Sequence, residues 1–525
     1  MTKYLFIAAI ALSACSRPET KLTPTRPNII VIVTDDHAKN AVSAYGSKLI
    51  KTPNIDRIGQ EGIRFDNAFV TNSLCGPARA VIQTGIYSHL NGFRDNNDSF
   101  DNTQLTFPKI LKEAGYYTAV VGKWHLVTEP KGFDYWDILI DQGTYYNPDF
   151  VKMGDTIRRE GYATDLITDL AMQTLSSKPA DQPFCLLLHQ KAPHRNFMPN
   201  LHHLGVFDSA AMPLPANLFD DYSTRSAAAK EQDLEIRKMF LAYDLKLKIP
   251  PGMKDPGSGG FKDADGVKFF EGDYNRFTEE QRVLWDNYYK PISDAFYKQN
   301  LKGRPLEEWM YQRYIKDYLA CVLSVDENIG RFFKFLEDKK MMENTLIIYT
   351  SDQGFFLGEH GWYDKRFMYE ESLGIPLFMK LPGKIAPGQV NKNMVLNLDI
   401  TPTILEAAQL PIPDHFQGKS MLSLTSTAAP DWRKSIYYHY YEFPYGVHGV
   451  KKHYGIRTER YKLIHFYNDI DEWEMYDLKN DPYEMKNIYR DQSMVKLRDS
   501  LKLALNDLRA FYKDTIKLET ANKNR

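Results

Sequence analysis

Four runs of apolar residues, none broken by polar alternation and each ending in an ionisable or amide group, constrain this chain more than any other feature. Residues 29–33 lead into Thr34-Asp35-Asp36, and residues 117–121 into Gly122-Lys123-Trp124-His125. Residues 184–188 are followed by His189 and then Ala192-Pro193-His194, and residues 345–349 lead into Thr350-Ser351-Asp352-Gln353-Gly354. A strand with one face in water alternates apolar and polar residues, so these runs predict strands covered on both faces, as in a parallel sheet. Open α/β sheets bind ligands beyond the carboxyl ends of their strands. The four polar exits are therefore expected to meet in one site.

Helical patterns separate the runs. Residues 106–115 predict a helix closed by the C-terminal Gly115. Alternation of strand and helix predicts an α/β domain over residues 27–425, with a mostly parallel central sheet flanked by helices. Residues 208–316 depart from that pattern. They are charged and aromatic, and they carry the breakers Pro250-Pro251-Gly252 and Gly257-Ser258-Gly259-Gly260, which predicts an insertion of helix and loop. Beyond Pro430, residues 435–441, 454–458 and 461–465 are short Tyr-rich strand patterns with turns between them. Leu497, Leu501, Leu505 and Leu508 fall on one helical face. Residues 430–515 are thus expected to form a smaller C-terminal domain of antiparallel sheet and helix.

Composition excludes some classes. Lys plus Arg number 66 against 67 Asp plus Glu, a net charge of −1 over 525 residues, which gives no basis for nucleic acid as a partner. Four cysteines are too few for a disulfide scaffold. The first, Cys15, follows Lys3 and an apolar run over residues 4–12 that is too short to cross a bilayer. Leu12-Ser13-Ala14-Cys15 is similar to a bacterial lipobox. The expectation is an exported lipoprotein, periplasmic or at the cell surface, whose signal occupies residues 1–15. Cys15 would carry the lipid that anchors it to a membrane, and residues 16–26 would be a tether. Cys185, inside a buried strand run, and Cys321, inside an apolar helical pattern, are expected to be free structural thiols.

The exits carry chemistry. Asp35, Asp36, Asp352 and the Gln353 amide are hard oxygen donors, with His37 the one nitrogen ligand near in sequence. That set suits Ca²⁺ or Mg²⁺ better than zinc, although paired carboxylates after a strand also cap helices or face water. Cys75 lies in Cys75-Gly76-Pro77-Ala78-Arg79, where Pro77 suits the first turn of a helix that residues 78–83 continue. This places Cys75 at a helix N-terminus, where partial positive charge favours an anion, with Arg79 one turn further on.

These residues resemble the type I, formylglycine-dependent sulfatases of the alkaline-phosphatase-like superfamily. The Cys-x-Pro-x-Arg signature matches at Cys75, Pro77 and Arg79, and Thr84-Gly85, Thr34-Asp35-Asp36, Gly122-Lys123-Trp124-His125, Pro193-His194 and Ser351-Asp352-Gln353-Gly354 follow the family's order. Tyr476-Asp477-Leu478 with Asp481-Pro482 and Glu484 resembles its terminal domain. Ala78 stands where the family often has serine, and Gln353 where many members have asparagine.

The resemblance implies that a formylglycine-generating maturation enzyme oxidises Cys75 to formylglycine, which hydrates to a geminal diol. One hydroxyl of the diol would attack sulfur and displace the alcohol, and deprotonation of the other would expel sulfate as the aldehyde reforms. It also implies that Asp35, Asp36, Asp352 and Gln353 bind calcium together with the modified Cys75. Arg79 would steady the diol, and Lys123 and His125 would contact it and assist proton removal. His194 would be the general acid for the leaving alcohol, and Lys365 would neutralise sulfate charge.

The expected substrate is a sulfated carbohydrate. Residues 143–148, 364–370 and 452–457 are similar to the N-acetylglucosamine-6-sulfatase-like branch, which points to 6-O-sulfate. His448 and His453, near the strand edge of the second domain, are candidate sugar contacts. The alternatives are a sulfatase for 2-O- or 4-O-sulfated sugars, a phosphate or phosphonate ester hydrolase on the same fold, and a non-catalytic sugar-binding lipoprotein. The Cys75 signature argues against the second of these, and the intact set of site residues against the third.

Overall fold

The computed structural model describes residues 26–255, 265–426 and 431–518. The signal run, Cys15 and residues 16–25 of the expected tether lie outside the described residues. No helix among the described residues is long and apolar enough to cross a membrane.

The four apolar runs are adjacent strands: β1 (Asn28–Thr34), β2 (Tyr117–Lys123), β3 (Phe184–His189) and β4 (Thr345–Ser351). They lie in the spatial order β4-β1-β3-β2, every neighbouring pair parallel. Their side chains alternate between two hydrophobic cores. Ile29, Val31, Val33, Cys185, Leu187, Leu346 and Ile348 enter one core, while Ile30, Ile32, Leu186, Leu188, Ile347 and Tyr349 enter the other. Both faces are dry, so neither needs polar residues, and each Ile, Val or Leu buried here contributes about 1.5–3 kcal/mol.

The complete sheet has ten strands and is more mixed than expected. Leu377–Lys380 inserts antiparallel between Ile63–Phe69 and β4. On the far side, Tyr135–Leu139 continues the parallel run before the antiparallel strands Asp149–Lys152 and Asp155–Arg158 close the edge. The polar character of those outer strands follows from position: Asp155–Arg158 is exposed at every residue.

Helices cover both faces. α1 (Cys75–Thr84) is wholly buried and ends at Gly85, whose φ of +65° suits a residue without a side chain. Its Ala80, Val81 and Ile82 belong to the first core. On the other face α2 (Gly303–Asp338) buries Tyr311, Tyr314, Tyr318 and Cys321 in the second. The expected insertion contains Asp265–Tyr274 and Glu279–Gln299, the latter opened by a Thr278/Gln281 capping box. No boundary falls at residue 316, because α2 runs straight through it.

The C-terminal sheet is antiparallel, in the order Ser435–Tyr440, His453–Thr458, Tyr461–Phe466, Glu472–Asp477. The helix α3 (Val495–Phe511) packs on it through Leu501 and Leu505. Ile436, Tyr437 and Tyr438 belong to the same core as α1, so this sheet is built onto the large domain through a shared apolar interior. The fold is the expected α/β architecture with a small antiparallel sheet.

Candidate active site

Register brings the carboxylates together. Thr34 of β1 pairs with Ser351 of β4, so Asp35 and Asp36 leave the sheet beside Asp352 and Gln353. Asp36 has φ +66°, a left-handed turn that lets its backbone N–H donate to Asp352 Oδ1 at 3.2 Å. β2 delivers Lys123 and then His125, also left-handed at φ +56°. Between them and β3 the backbones nearly touch at Gly122: a Cβ there would lie 1.9 Å from the His189 carbonyl oxygen. Only glycine, at φ +94°, permits that approach.

α1 enters from the other side with Cys75 as its first residue. One turn on, the Arg79 Nε donates to Asp352 Oδ2 at 2.9 Å and its Nη1 to the Lys123 carbonyl at 2.8 Å. Lys123 Nζ bonds Asp35 Oδ2, and Lys365 Nζ donates to Asp36 Oδ2 at 2.8 Å. His194 Nε2 stands 3.7 Å from the same Asp36 oxygen. Each of the three carboxylates thus has one cation, and every member of these pairs is buried. Strain collects here too: Asp364, Arg366 and His448 share positive φ with Asp36 and His125.

The donor set fits a hard cation. Carboxylate oxygens of Asp35, Asp36 and Asp352 all lie within 4.8 Å of one another. Asp35 Oδ1 and Gln353 Oε1 are buried and make no hydrogen bond, which leaves two oxygens for an ion to satisfy. Gln353 Nε2 bonds Asp36 Oδ1 and donates to Cys75 Sγ at 3.6 Å, so the amide joins the cysteine to the carboxylates. His37 does not take part. Its Nδ1 lies 2.6 Å from Tyr349 OH and its Nε2 3.2 Å from the Ala41 carbonyl oxygen, both in the core.

Burial dominates the electrostatics. It lifts the carboxyl of Asp36 to a pKa of about 6 despite Lys365, and that of Asp352 to about 7, with Asp35 as a neighbouring negative charge. Burial alone would raise Asp35, but Lys123, with Arg79 and Lys365, outweighs it and holds this carboxyl well below the usual range. Burial also favours neutral imidazoles, with His125 lowered to about 4 and His194 held well below its ordinary value. The Cys75 thiol is pushed up by burial, with Lys365 and Lys123 pulling the other way. A helix N-terminus alone does not make this thiol acidic.

Above Cys75 opens a pocket of about 490 Å³, lined also by His194, Lys365, Gln142, Arg195, Asp364 and His448. The sequence patterns gave no role to Gln142 or Arg195, and took in Asp364 and Arg366 only within the branch-like run 364–370. Gln142 reaches in from the turn after Tyr135–Leu139, bonding Lys123 Nζ through its oxygen and lying 3.0 Å from His125 Nε2 through its nitrogen. Arg195 clasps Asp244 with two bonds of 2.7 and 2.8 Å, and Arg366 bonds Glu442. The signal for Arg195 was its place beside His194; for Gln142 there was none.

The two candidate sugar contacts divide. His448 lines the pocket, its Nε2 3.5 Å from Asp364 Oδ2 and 3.4 Å from Arg195 Nη1. The structure does not bring His453 there. Its Nε2 accepts from the Met368 N–H at 3.1 Å and its Nδ1 lies 2.8 Å from the Lys451 carbonyl oxygen. The ring packs against Tyr438, Tyr440 and Phe367, leaving neither nitrogen for a ligand. Cys185 and Cys321 are buried and free.

Residues 27–410 match the family model described as Sulfatase, and residues 358–511 the one described as N-sulphoglucosamine sulphohydrolase, C-terminal. The chain is 49% identical over 520 residues to an N-acetylglucosamine-6-O-sulfatase of Bacteroides thetaiotaomicron, covering 98% of this chain and 91% of the relative. It is 27% identical over 494 residues to an arylsulfatase of Clostridium perfringens, covering 91% and 94%. It is also similar, at TM-score 0.89 and 49% identity, to a solved structure of a protein in complex with its substrate D-glucosamine-2-N,6-O-disulfate. That likeness covers 93% of this chain and 99% of the other.

Proposed function

The chain belongs to the sulfatase family, and from that premise we propose that it hydrolyses the 6-O-sulfate ester of N-acetylglucosamine or a related glycan sugar. The observation that carries this reading is the 49% identity, over nearly the whole chain, to a relative named for that activity. The substrate of the similar solved complex, a glucosamine bearing both N- and 6-O-sulfate, supports the same sugar class.

The buried set of oxygen donors fits calcium, held by Asp35, Asp36, Asp352 and Gln353, and Cys75 is the position for formylglycine. When present, these two supply Lewis-acid polarisation of a sulfate oxygen and an oxygen nucleophile. The protein's own groups do the rest. Lys123 and Lys365 place two ammonium charges beside Cys75, where an arriving sulfate loses its water and needs compensation. Arg79 holds Asp352 against β2. His194, neutral by burial in the free enzyme, takes up a proton more readily once an anion sits beside it, which suits a donor to the leaving alcohol. Gln142 and Asp141 together hold the ring of His125.

Export and lipidation at Cys15 complete the proposal, supported by the apolar run and lipobox-like residues at the N-terminus. The test is sulfate release from a panel of 6-O-, 4-O- and 2-O-sulfated sugars. The 6-O-sulfated N-acetylglucosamine is expected to turn over fastest, and preference for a 2-O- or 4-O-sulfate would overturn the assignment.

A further inference from the structure

A second group of ligating side chains gathers around the outer ring nitrogen of a buried histidine. His202 and His203 stand in the short turn Leu201–His203, where the Asn200 side chain accepts from the His202 N–H. The turn packs on α2, which presents Ser324 and Glu327 one helical step apart. Ser324 Oγ lies 2.8 Å from His203 Nδ1 and fixes the ring. The other nitrogen, Nε2, is buried and faces a single partner, Glu327 Oε2, at 2.9 Å. His202 Nε2 stands 3.6 Å from that same oxygen.

The three ligand atoms all lie within 4.8 Å of one another. Ligands about 2.0–2.1 Å from a tetrahedral zinc ion sit about 3.3 Å apart, close to the two separations seen here. The donors differ from those at Cys75, being two imidazoles and one carboxylate where the first set is all oxygen. That combination suits zinc and its neighbours in the transition series and is poor for calcium. His203 is 5% exposed, while the side chains of His202 and Glu327 are 58% and 49% exposed, so the outer side of the cluster is open to water as a fourth ligand. The Ser324 contact orients His203 in the way an outer partner orients a metal-bound histidine.

We propose that His202, His203 and Glu327 form a zinc site distinct from the oxygen-donor set at Asp35, Asp36 and Asp352. A bound ion ties the chain that follows His194 to α2, and so braces the loop carrying that residue from outside the pocket.

The test is calorimetric titration of zinc into the whole enzyme, with calcium in excess to occupy the oxygen donors. One zinc per chain is expected, with a raised melting temperature. His202→Ala and Glu327→Gln, at exposed positions where folding is not at stake, should each weaken binding at least tenfold, and the double variant should lose the thermal shift. Absence of zinc binding, or affinity unchanged in both variants, would overturn the site.

Discussion

Arg79 donates from Nε to Asp352 Oδ2 at 2.9 Å while its Nη1 holds the Lys123 carbonyl at 2.8 Å, so one guanidinium joins α1, β2 and the end of β4. A lysine keeps the charge but cannot fork between the two acceptors. Arg79→Lys is therefore expected to stay folded by circular dichroism and to lower kcat/KM by roughly two orders of magnitude. Arg79→Ala leaves Asp352 a buried carboxylate without its partner, at a cost of about 3–5 kcal/mol in urea unfolding. Undiminished sulfate release by Arg79→Lys would refute the role.

Calcium binding should release protons, and the sign follows from two carboxyls. In the free site Asp36 titrates near 6 and Asp352 near 7, both raised by burial, so at pH 6 the site carries protons that the ion must displace. Affinity is expected to rise with pH through that interval and level off above it. Calorimetry in buffers of different ionisation enthalpy should find proton release at pH 6 and little at pH 8. Removing the ion with a chelator should lower the melting temperature, by an amount equivalent to ~2.7 kcal/mol if it had been present at a hundred times its Kd.

What the sequence disclosed tracks with burial on both faces. β1, β2, β3 and β4 are uniform apolar runs because each separates two cores, and their ends name the site without any knowledge of register. Glu472–Asp477 escaped because its acidic residues read as a solvated loop, whereas Glu474 is buried and accepts from Ser226 and Tyr369; Asp155–Arg158 escaped because it is exposed throughout. His448 and His453 looked alike as histidines near a Tyr-rich strand. Pairing decides between them: Tyr440 faces His453 across the sheet and draws it into an aromatic stack, while His448 sits before the strand in a left-handed turn over the pocket. Gln142 was invisible because its role comes from a turn that strand pairing carries to Lys123.

Gln142 should matter to turnover more than to affinity for the sugar. Its amide lies between Lys123 and His125, whose Nε2 also stands 3.4 Å from Asp141 Oδ1, an oxygen on a largely exposed side chain. Gln142→Leu keeps the volume and removes both bonds. The expected result is a fall in kcat of about 10-fold with a smaller change in KM, because a ring left to the exposed Asp141 alone is less well placed for proton transfer. A rise in KM at constant kcat would assign Gln142 to substrate binding instead.

His453 offers a test of stability against pH that does not involve the reaction site. Burial lowers its pKa to about 3, against about 6.5 in an unfolded chain. As pH falls below about 6.5 the unfolded chain binds the proton and the folded one refuses it. Stability is therefore complete above that pH and is lost toward about 3, by up to ~1.4 kcal/mol per unit. His453→Phe should fit among Tyr438, Tyr440 and Phe367 while leaving the Met368 N–H without its acceptor, a constant cost of about 1–3 kcal/mol. Other buried histidines such as His439 act equally in both chains, so the difference isolates this one. Urea unfolding at pH 7, 6, 5 and 4 should give a shallower decline for the variant, and parallel declines would show that His453 takes up its proton without unfolding.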